Sequence, residues 1–265
     1  MKTAVDGLVL REMQSGDHDR RLLVLTNDGK IWVSAKGARS VRSKYAAISQ
    51  LFSYANLEIY KKGNGMWLSG GSLNKSFFDL GTDLVGFTLA SYVCQIADEI
   101  TGESYPAEEV LRTTLNTLYA IEKRLKPYGQ IKATYELFAA SVSGYTPDLE
   151  HCSHCKRSAF SPSEALWLDV MNGSIICGEC QSKKNGELPL PETDRFETRN
   201  LLLPLDCSAL EAMRYVMRAE PQRLFAFGLA DKKSLALFYR AAESFLLNHL
   251  ERDFDTLHFY NSIKG

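Results

Sequence analysis

Two Cys-x-x-Cys pairs, Cys152/Cys155 and Cys177/Cys180, constrain what this chain can fold into more than any other feature. Each pair lets two sulfurs turn toward one cation, and four thiolates close a tetrahedral shell at about 2.3 Å. The spacing, Cys-x2-Cys-x21-Cys-x2-Cys, exceeds the usual four-cysteine zinc template by about one residue. Between the pairs, Leu166-Trp167-Leu168-Asp169-Val170 and Ile175-Ile176 flank Met171-Asn172-Gly173-Ser174. Asn-Gly is the strongest short hairpin signal, so two metal knuckles joined by a hairpin are expected. Two disulfides or a redox pair are the alternatives. Met1-Lys2-Thr3, followed by Asp6 and Arg11, offers no apolar export segment, so a reducing, cytoplasmic compartment is expected. A redox Cys-x-x-Cys stands alone beside a βαβ unit, whereas this one is duplicated around a hairpin. His151 and His154 adjoin the first pair and could replace a sulfur, but the four cysteines already complete a shell. The expectation is one structural zinc ion on Cys152, Cys155, Cys177 and Cys180, with no open position for zinc catalysis.

Upstream, the chain reads as β structure. Ala4–Arg11, Arg21–Thr26, Ile31–Ala35, Leu51–Tyr60 and Met66–Asn74 are strand candidates, with turns at Asn27-Asp28-Gly29-Lys30 and Gly63-Asn64-Gly65. Five short strands without an intervening long helix predict a small barrel, and the OB-fold is the commonest of that kind. Leu51, Ala55, Leu57 and Ile59 are placed inside it, and Phe52, Tyr54, Glu58 and Tyr60 outside.

From Thr82 onward the period becomes helical. Asp83–Ile100 is apolar nearly all round and reads as a central buried helix. Ala107–Leu125 and Gln130–Ser143 follow, ended by Pro127 and Gly144. The stretch 186–204 contains three prolines and reads as a connecting loop. Ser208-Ala209-Leu210-Glu211 resembles a capping box, and Asp231–Arg252 a long final helix. The expected architecture is an α+β multidomain chain: a five-stranded OB-fold β-barrel (1–80), an α-helical domain in two parts (81–149 and 186–265), and an inserted four-cysteine zinc ribbon (150–185). No apolar run approaches the ~18 residues that span a bilayer, so no membrane partner is expected.

No catalytic constellation accompanies this architecture: there is no nucleophile elbow, phosphate loop or His-Glu-x-x-His. An enzyme is not expected. Cys94 and Cys207 read as inert, and His249, on an apolar helix face, as a packed histidine. Binding chemistry is more visible. Residues 1–80 hold twelve Lys/Arg against seven Asp/Glu, and the remainder nineteen against twenty-five. Lys36, Arg39, Arg42 and Lys44 fall within nine residues that contain no acid. On an OB barrel, such a segment is placed to neutralise phosphates, and Arg20 and Arg21 would assist it. Tyr45, Tyr54, Tyr60 and Trp67 offer either base-stacking surfaces or barrel packing, and packing is favoured because a small barrel needs large side chains. An RNA-binding protein of translation or RNA processing is the alternative, since OB barrels accept either nucleic acid.

Three segments resemble one family, in order and along the whole chain. Gly7-Leu8-Val9-Leu10-Arg11 with Gly16-Asp17-x-Asp19-Arg20 resembles its opening strand and turn. Ala35-Lys36-Gly37-Ala38-Arg39 resembles its Lys-Gly-Ala-Arg loop, and Gly144-Tyr145-Thr146-Pro147-Asp148-Leu149 before Cys152 its helix-to-zinc junction. The family is RecO, the bacterial recombination mediators. Lys156 departs from it, standing where a glycine is frequent after the first knuckle. The resemblance implies a non-enzymatic, nucleoid-associated DNA-repair protein of the RecF pathway. It implies binding to single- and double-stranded DNA, annealing of complementary strands, and contact with the acidic C-terminal tail of single-stranded-DNA-binding protein. It implies RecR as a partner in loading RecA. An acidic tail needs an apolar pocket beside a cation, for which Lys123, Arg124 and Lys132 are candidates.

Overall fold

A computed structural model describes residues 2–184 and 202–264, so the expected loop at 186–204 falls largely outside the described residues. Contacts divide the chain into two compact units, Met1–Tyr128 with Phe254–Gly265, and Gly129–Asp253.

In the first unit, β1 (Lys2–Ser15), β2 (Asp19–Thr26), β3 (Gly29–Ala35), β4 (Ser53–Lys62) and β5 (Gly65–Ser76) close a barrel in the order β1-β2-β3-β5-β4. β4 pairs back onto β1, and β3 meets β5 in the one parallel contact. This is the five-stranded OB barrel. Alternation sets its register: Leu22 and Val24, Val33, Ala55, Leu57, Ile59 and Leu68 point inward into one cluster. Leu51 and Phe52 precede β4 instead of belonging to it, and Phe52 is buried with its ring 5.4 Å from Phe87. Close approach of β1 to β2 explains Gly7, where a Cβ would lie 2.3 Å from Val24 Cγ1.

Leu8, Leu23 and Leu25 face outward yet are also buried, because helices α1 (Leu84–Ile100) and α2 (Glu108–Glu122) lie against β1 and β2. Asp83 caps α1 by accepting from the Val85 N–H, and Asp98 near its other end pairs with Arg11 (2.6 Å) and Lys30 (2.7 Å) of the barrel. A further helix, Asp255–Ile263, packs on α1; the Tyr92 and Phe254 rings stand 5.4 Å apart. The sequence pattern missed it because nine residues make too short a window for a helical period.

The second unit is built on α3 (Tyr128–Val142), in which every residue from Gln130 to Ala140 is buried. Its sheet comprises β6 (Asp148–Cys152), β7 (Leu166–Asp169), β8 (Ser174–Cys177) and β9 (Leu202–Leu205), ordered β6-β8-β7-β9. β7 and β8 form the expected hairpin. β9 falls where a loop was expected; it is an edge strand, which is why it tolerates Pro204. Helices α4 (Gly178–Lys184), α5 (Cys207–Arg218) and α6 (Lys232–Leu250) complete the unit, and Asp255–Ile263 is α7. Asp206, not Ser208, caps α5, accepting from the Ala209 N–H at 2.8 Å. No helix among the described residues is long and apolar enough to cross a membrane.

Candidate nucleic-acid interface and metal centre

Cys152 closes β6, Cys155 follows in a turn, Cys177 ends β8 and Cys180 lies in the first turn of α4. Their sulfurs all lie within 4.8 Å of one another, and Cys155 and Cys177 are 3.7 Å apart. A tetrahedron with bonds of about 2.3 Å has edges of about 3.8 Å, so the four sulfurs fit one ion. No cysteine is in a disulfide. The Cys177 N–H donates to Cys152 Sγ at 3.4 Å. Burial raises the Cys152 thiol, but backbone donors at Cys155, Cys177 and His154 outweigh it and bring the pKa down to about 6. Cys180 is pushed up to about 12 by burial and by its three thiol neighbours. A dication held by these sulfurs would favour their thiolate forms.

Arg157 is a member of this centre that the sequence did not reveal. Its guanidinium pairs with Glu164 and Glu179 beside the cluster. Lys156, beside it, has φ 61, the left-handed conformation that favours glycine.

On the barrel, Lys36 follows directly on β3 and sets its ammonium 5.2 Å from the Trp67 ring centroid. The Gly37 N–H donates to Asp19 Oδ1 (2.8 Å) and the Arg39 N–H to the His18 carbonyl (2.9 Å), tying this segment to the β1–β2 turn. Arg39 also donates to the Asp17 carbonyl, and Lys44 to the Ser69 carbonyl, both at 3.1 Å. Arg42 is exposed, and Arg21 is exposed with its guanidinium 4.7 Å from the Trp32 centroid. Arg20 differs: it shares the inward face of Leu22 and is one-fifth exposed (20%). It donates to the Ser49 carbonyl (3.0 Å) and hydroxyl (3.2 Å) and pairs with Glu12, holding the segment before β4 across the barrel mouth. Tyr45 packs against the barrel core with its hydroxyl on the Ser69 carbonyl, as the packing reading expects. Trp67 and Tyr60 pair across β5 and β4 on the outer face.

Away from the barrel, Lys132 is buried between Glu136 and Glu243, so it is no surface for a peptide. Arg124 is exposed and pairs with Asp83 at 3.0 Å, beside a cleft of about 600 Å³ that includes Leu125, Pro127 and Tyr128. His249 is packed: its ring stacks on Tyr145 and Nε2 lies 3.0 Å from the Val170 carbonyl.

A closed five-stranded OB barrel followed by a helical domain that carries a cluster of four cysteines able to hold a metal ion defines a nucleic-acid-binding protein of composite build. Residues 1–77 match the family model described as Recombination protein O N terminal, and residues 81–258 match Recombination protein O C terminal. The chain belongs to the RecO family of DNA repair and recombination proteins. It is similar to DNA repair protein RecO of Acetivibrio thermocellus, 25% identical over 258 residues that cover 97% of this chain and 95% of that protein. RecO of Symbiobacterium thermophilum is 25% identical over 262 residues (98% and 97%), and RecO of Bacillus subtilis 29% over 198 (74% and 76%).

Proposed function

We propose that this protein is a recombination mediator that binds single- and double-stranded DNA, anneals complementary strands and, with RecR, helps load RecA onto DNA coated by single-stranded-DNA-binding protein. The observation that carries this reading is the family match over both parts of the chain, joined to a barrel whose Lys36–Lys44 segment bears four cations and no acid. Lys36, Arg39, Arg42, Lys44 and Arg21 would meet phosphates, and Arg20 would act by holding the barrel mouth. Phosphate contacts of this kind exchange readily, which strand transfer between partners demands.

The four cysteines hold one zinc ion in this reading, since soft thiolates in a tetrahedral set suit zinc. Zinc here supplies folding energy to a small sheet and takes part in no reaction. The acidic tail of the single-stranded-DNA-binding protein docks in the cleft beside Arg124, where a cation adjoins the apolar surface of Leu125 and Pro127. Action is placed in the cytoplasm, on the nucleoid. The test is annealing of complementary oligonucleotides coated with cognate single-stranded-DNA-binding protein. Acceleration of annealing that is lost on K36A/R39A/R42A/K44A is expected; no acceleration by the wild type would falsify the mediator reading.

A further inference from the structure

The cluster of four cysteines is unevenly covered. Cys152 and Cys177 are buried, Cys180 is half-buried, and Cys155 is exposed. Secondary structure explains the difference. Cys152 and Cys177 end strands β6 and β8, and Cys180 sits in the first turn of α4. Cys155 belongs to the turn at 153–155, whose neighbours His154 and Lys156 are exposed as well. The shell is therefore reached from solvent chiefly at the Cys155 sulfur, with a lysine beside it that favours thiolate. The cysteines outside the cluster are poorer targets. Cys94 is buried, and Cys207 keeps its hydrogen on the Ser161 carbonyl at 2.9 Å.

A second sulfur stands within reach of the exposed one. Cys177 Sγ lies 3.7 Å from Cys155 Sγ, and an S–S bond of about 2.05 Å asks the Cys155 turn to close by less than about 2 Å. Cys152, the other member of the same Cys-x-x-Cys pair, accepts the Cys177 N–H at 3.4 Å. A sulfur that accepts a hydrogen bond is the weaker nucleophile, so Cys177 is the better partner. The two sulfurs come from different knuckles, and a bond between them would empty half of each.

We propose that Cys155 is an oxidation site, at which a hydroperoxide joins Cys155 to Cys177 and frees the ion that the four sulfurs hold. The proposal rests on the zinc reading above. The Cys155 thiolate attacks a peroxide oxygen, the O–O bond breaks, and Cys155 becomes a sulfenic acid as alkoxide or hydroxide leaves. The Cys177 thiolate then attacks the Cys155 sulfur, the S–O bond breaks, and hydroxide leaves as the disulfide forms. The sulfurs lose a pair of electrons, and the peroxide gains it and takes its protons from water. Cys152 and Cys180 alone complete no tetrahedral shell, so the ion is released. A dithiol reverses the disulfide, and the shell can be refilled. The consequence is local. β6 meets β8 only at Asp148↔Ser174 and Cys152↔Ile175, with the register shifted between them, so the ion is the main clip there. Its loss loosens β6 from β8, while the barrel keeps a core of its own.

The experiment treats zinc-loaded full-length protein with hydrogen peroxide. A chromogenic chelator follows zinc release, a 1,3-dicarbonyl reagent traps sulfenic acid, and peptide mass spectrometry maps the thiols. About one ion per disulfide should be released, with the trap first on Cys155, a Cys155–Cys177 cross-link afterwards, and zinc taken up again after dithiothreitol. Cys155→His keeps a fourth ligand that zinc accepts and removes the exposed sulfur, so release should slow about tenfold or more. Cys207→Ser should release zinc as wild type does. Should Cys155→His fail to hold zinc, the trap and the cross-link map on wild type decide. A first label on another cysteine, a different cross-link, or equally fast release from zinc-loaded Cys155→His overturns the proposal. Wild type that binds no zinc at all defeats the zinc reading itself, whereas wild type that holds zinc unchanged through peroxide treatment defeats the oxidation site alone.

Discussion

Replacing Lys132 with methionine tests how the second unit tolerates charge at its centre. Lys132 is 4% exposed, and its ammonium lies 2.7 Å from Glu136 and 2.6 Å from Glu243, whose side chains are 0% and 30% exposed. Methionine keeps the length of the stem, so the substitution chiefly removes the cation. Leaving a buried carboxylate without its partner costs about 3–5 kcal/mol. One pair at about 4 Å and an effective dielectric near 20 gives ~4 kcal/mol, in agreement. For a unit of roughly 125 residues, each kcal/mol moves the midpoint by about 4 °C, so Lys132→Met should melt some 12–20 °C lower. Circular-dichroism melts at pH 8 measure this. Burial lowers the Lys132 pKa, but Glu136 and Glu243 together outweigh it and the net direction is up. A folded pKa above the unfolded value of about 10.4 means the stabilisation is complete below that value and is lost as pH rises through the folded one. The gap between wild type and variant should therefore be flat from about pH 7 to 9 and close above about 10.5. K132M/E136L, which removes the fully buried pair and leaves behind the part-exposed Glu243 carboxylate, should recover most of the loss. A Lys132→Met protein that melts within about 3 °C of wild type, or a double variant as unstable as the single one, refutes the reasoning.

Other substitutions separate the remaining parts. Lys156→Gly relieves a left-handed backbone and should stabilise the zinc-loaded protein by about 1 kcal/mol, read as a higher melting midpoint; a lower midpoint would count against the strain. Chelation, or Cys177→Ser, should speed amide exchange in residues 148–184 first and leave barrel amides protected, as followed by hydrogen-exchange mass spectrometry. Arg20→Ala should cost the barrel about 1–3 kcal/mol by leaving Ser49 and Glu12 without their donor, while Arg42→Ala leaves the midpoint unchanged.

Much of this architecture was legible in the residues. The Asn-Asp-Gly and Asn-Gly turns marked two hairpins, and the cysteine spacing marked the four-sulfur cluster, because both depend on short-range rules. What escaped depends on tertiary context. In α3, Gln130, Lys132, Thr134 and Glu136 break the apolar pattern, yet all are buried. Lys132 is tolerated there by Glu136, one turn away, and by Glu243, which arrives from α6. β6 joins β8 in parallel, a pairing no local signal announces. Arg20 and Arg21 are neighbours in sequence but point to opposite faces of β2, so one holds the barrel mouth and the other stands on its outer wall. Alternation predicts that they differ; only the closed barrel says which is inside.

Net charge alone is a weak guide to where a polyanion binds, because it counts cations that are already engaged. Outside the barrel several cations are already engaged: Lys123 with Glu122 and Asp79, Arg124 with Asp83, Arg157 with Glu164, Arg214 with Glu211, and Arg218 with Glu150. Among the described residues, none of Lys36, Arg39, Arg42 and Lys44 is in an ion pair; the bonds of Arg39 and Lys44 go to neutral carbonyls. A phosphate arriving at these four residues displaces no carboxylate, so the Coulombic gain is not offset by a broken salt bridge. Each phosphate neutralised contributes about 0.9 to the slope of log affinity against log salt on duplex DNA. K36A/R39A/R42A/K44A should therefore flatten that slope by about 3–4, whereas alanine at the paired Arg124 and Arg218 together should change it by less than about one. A quadruple variant with the wild-type slope would place the phosphate contacts elsewhere on the molecule.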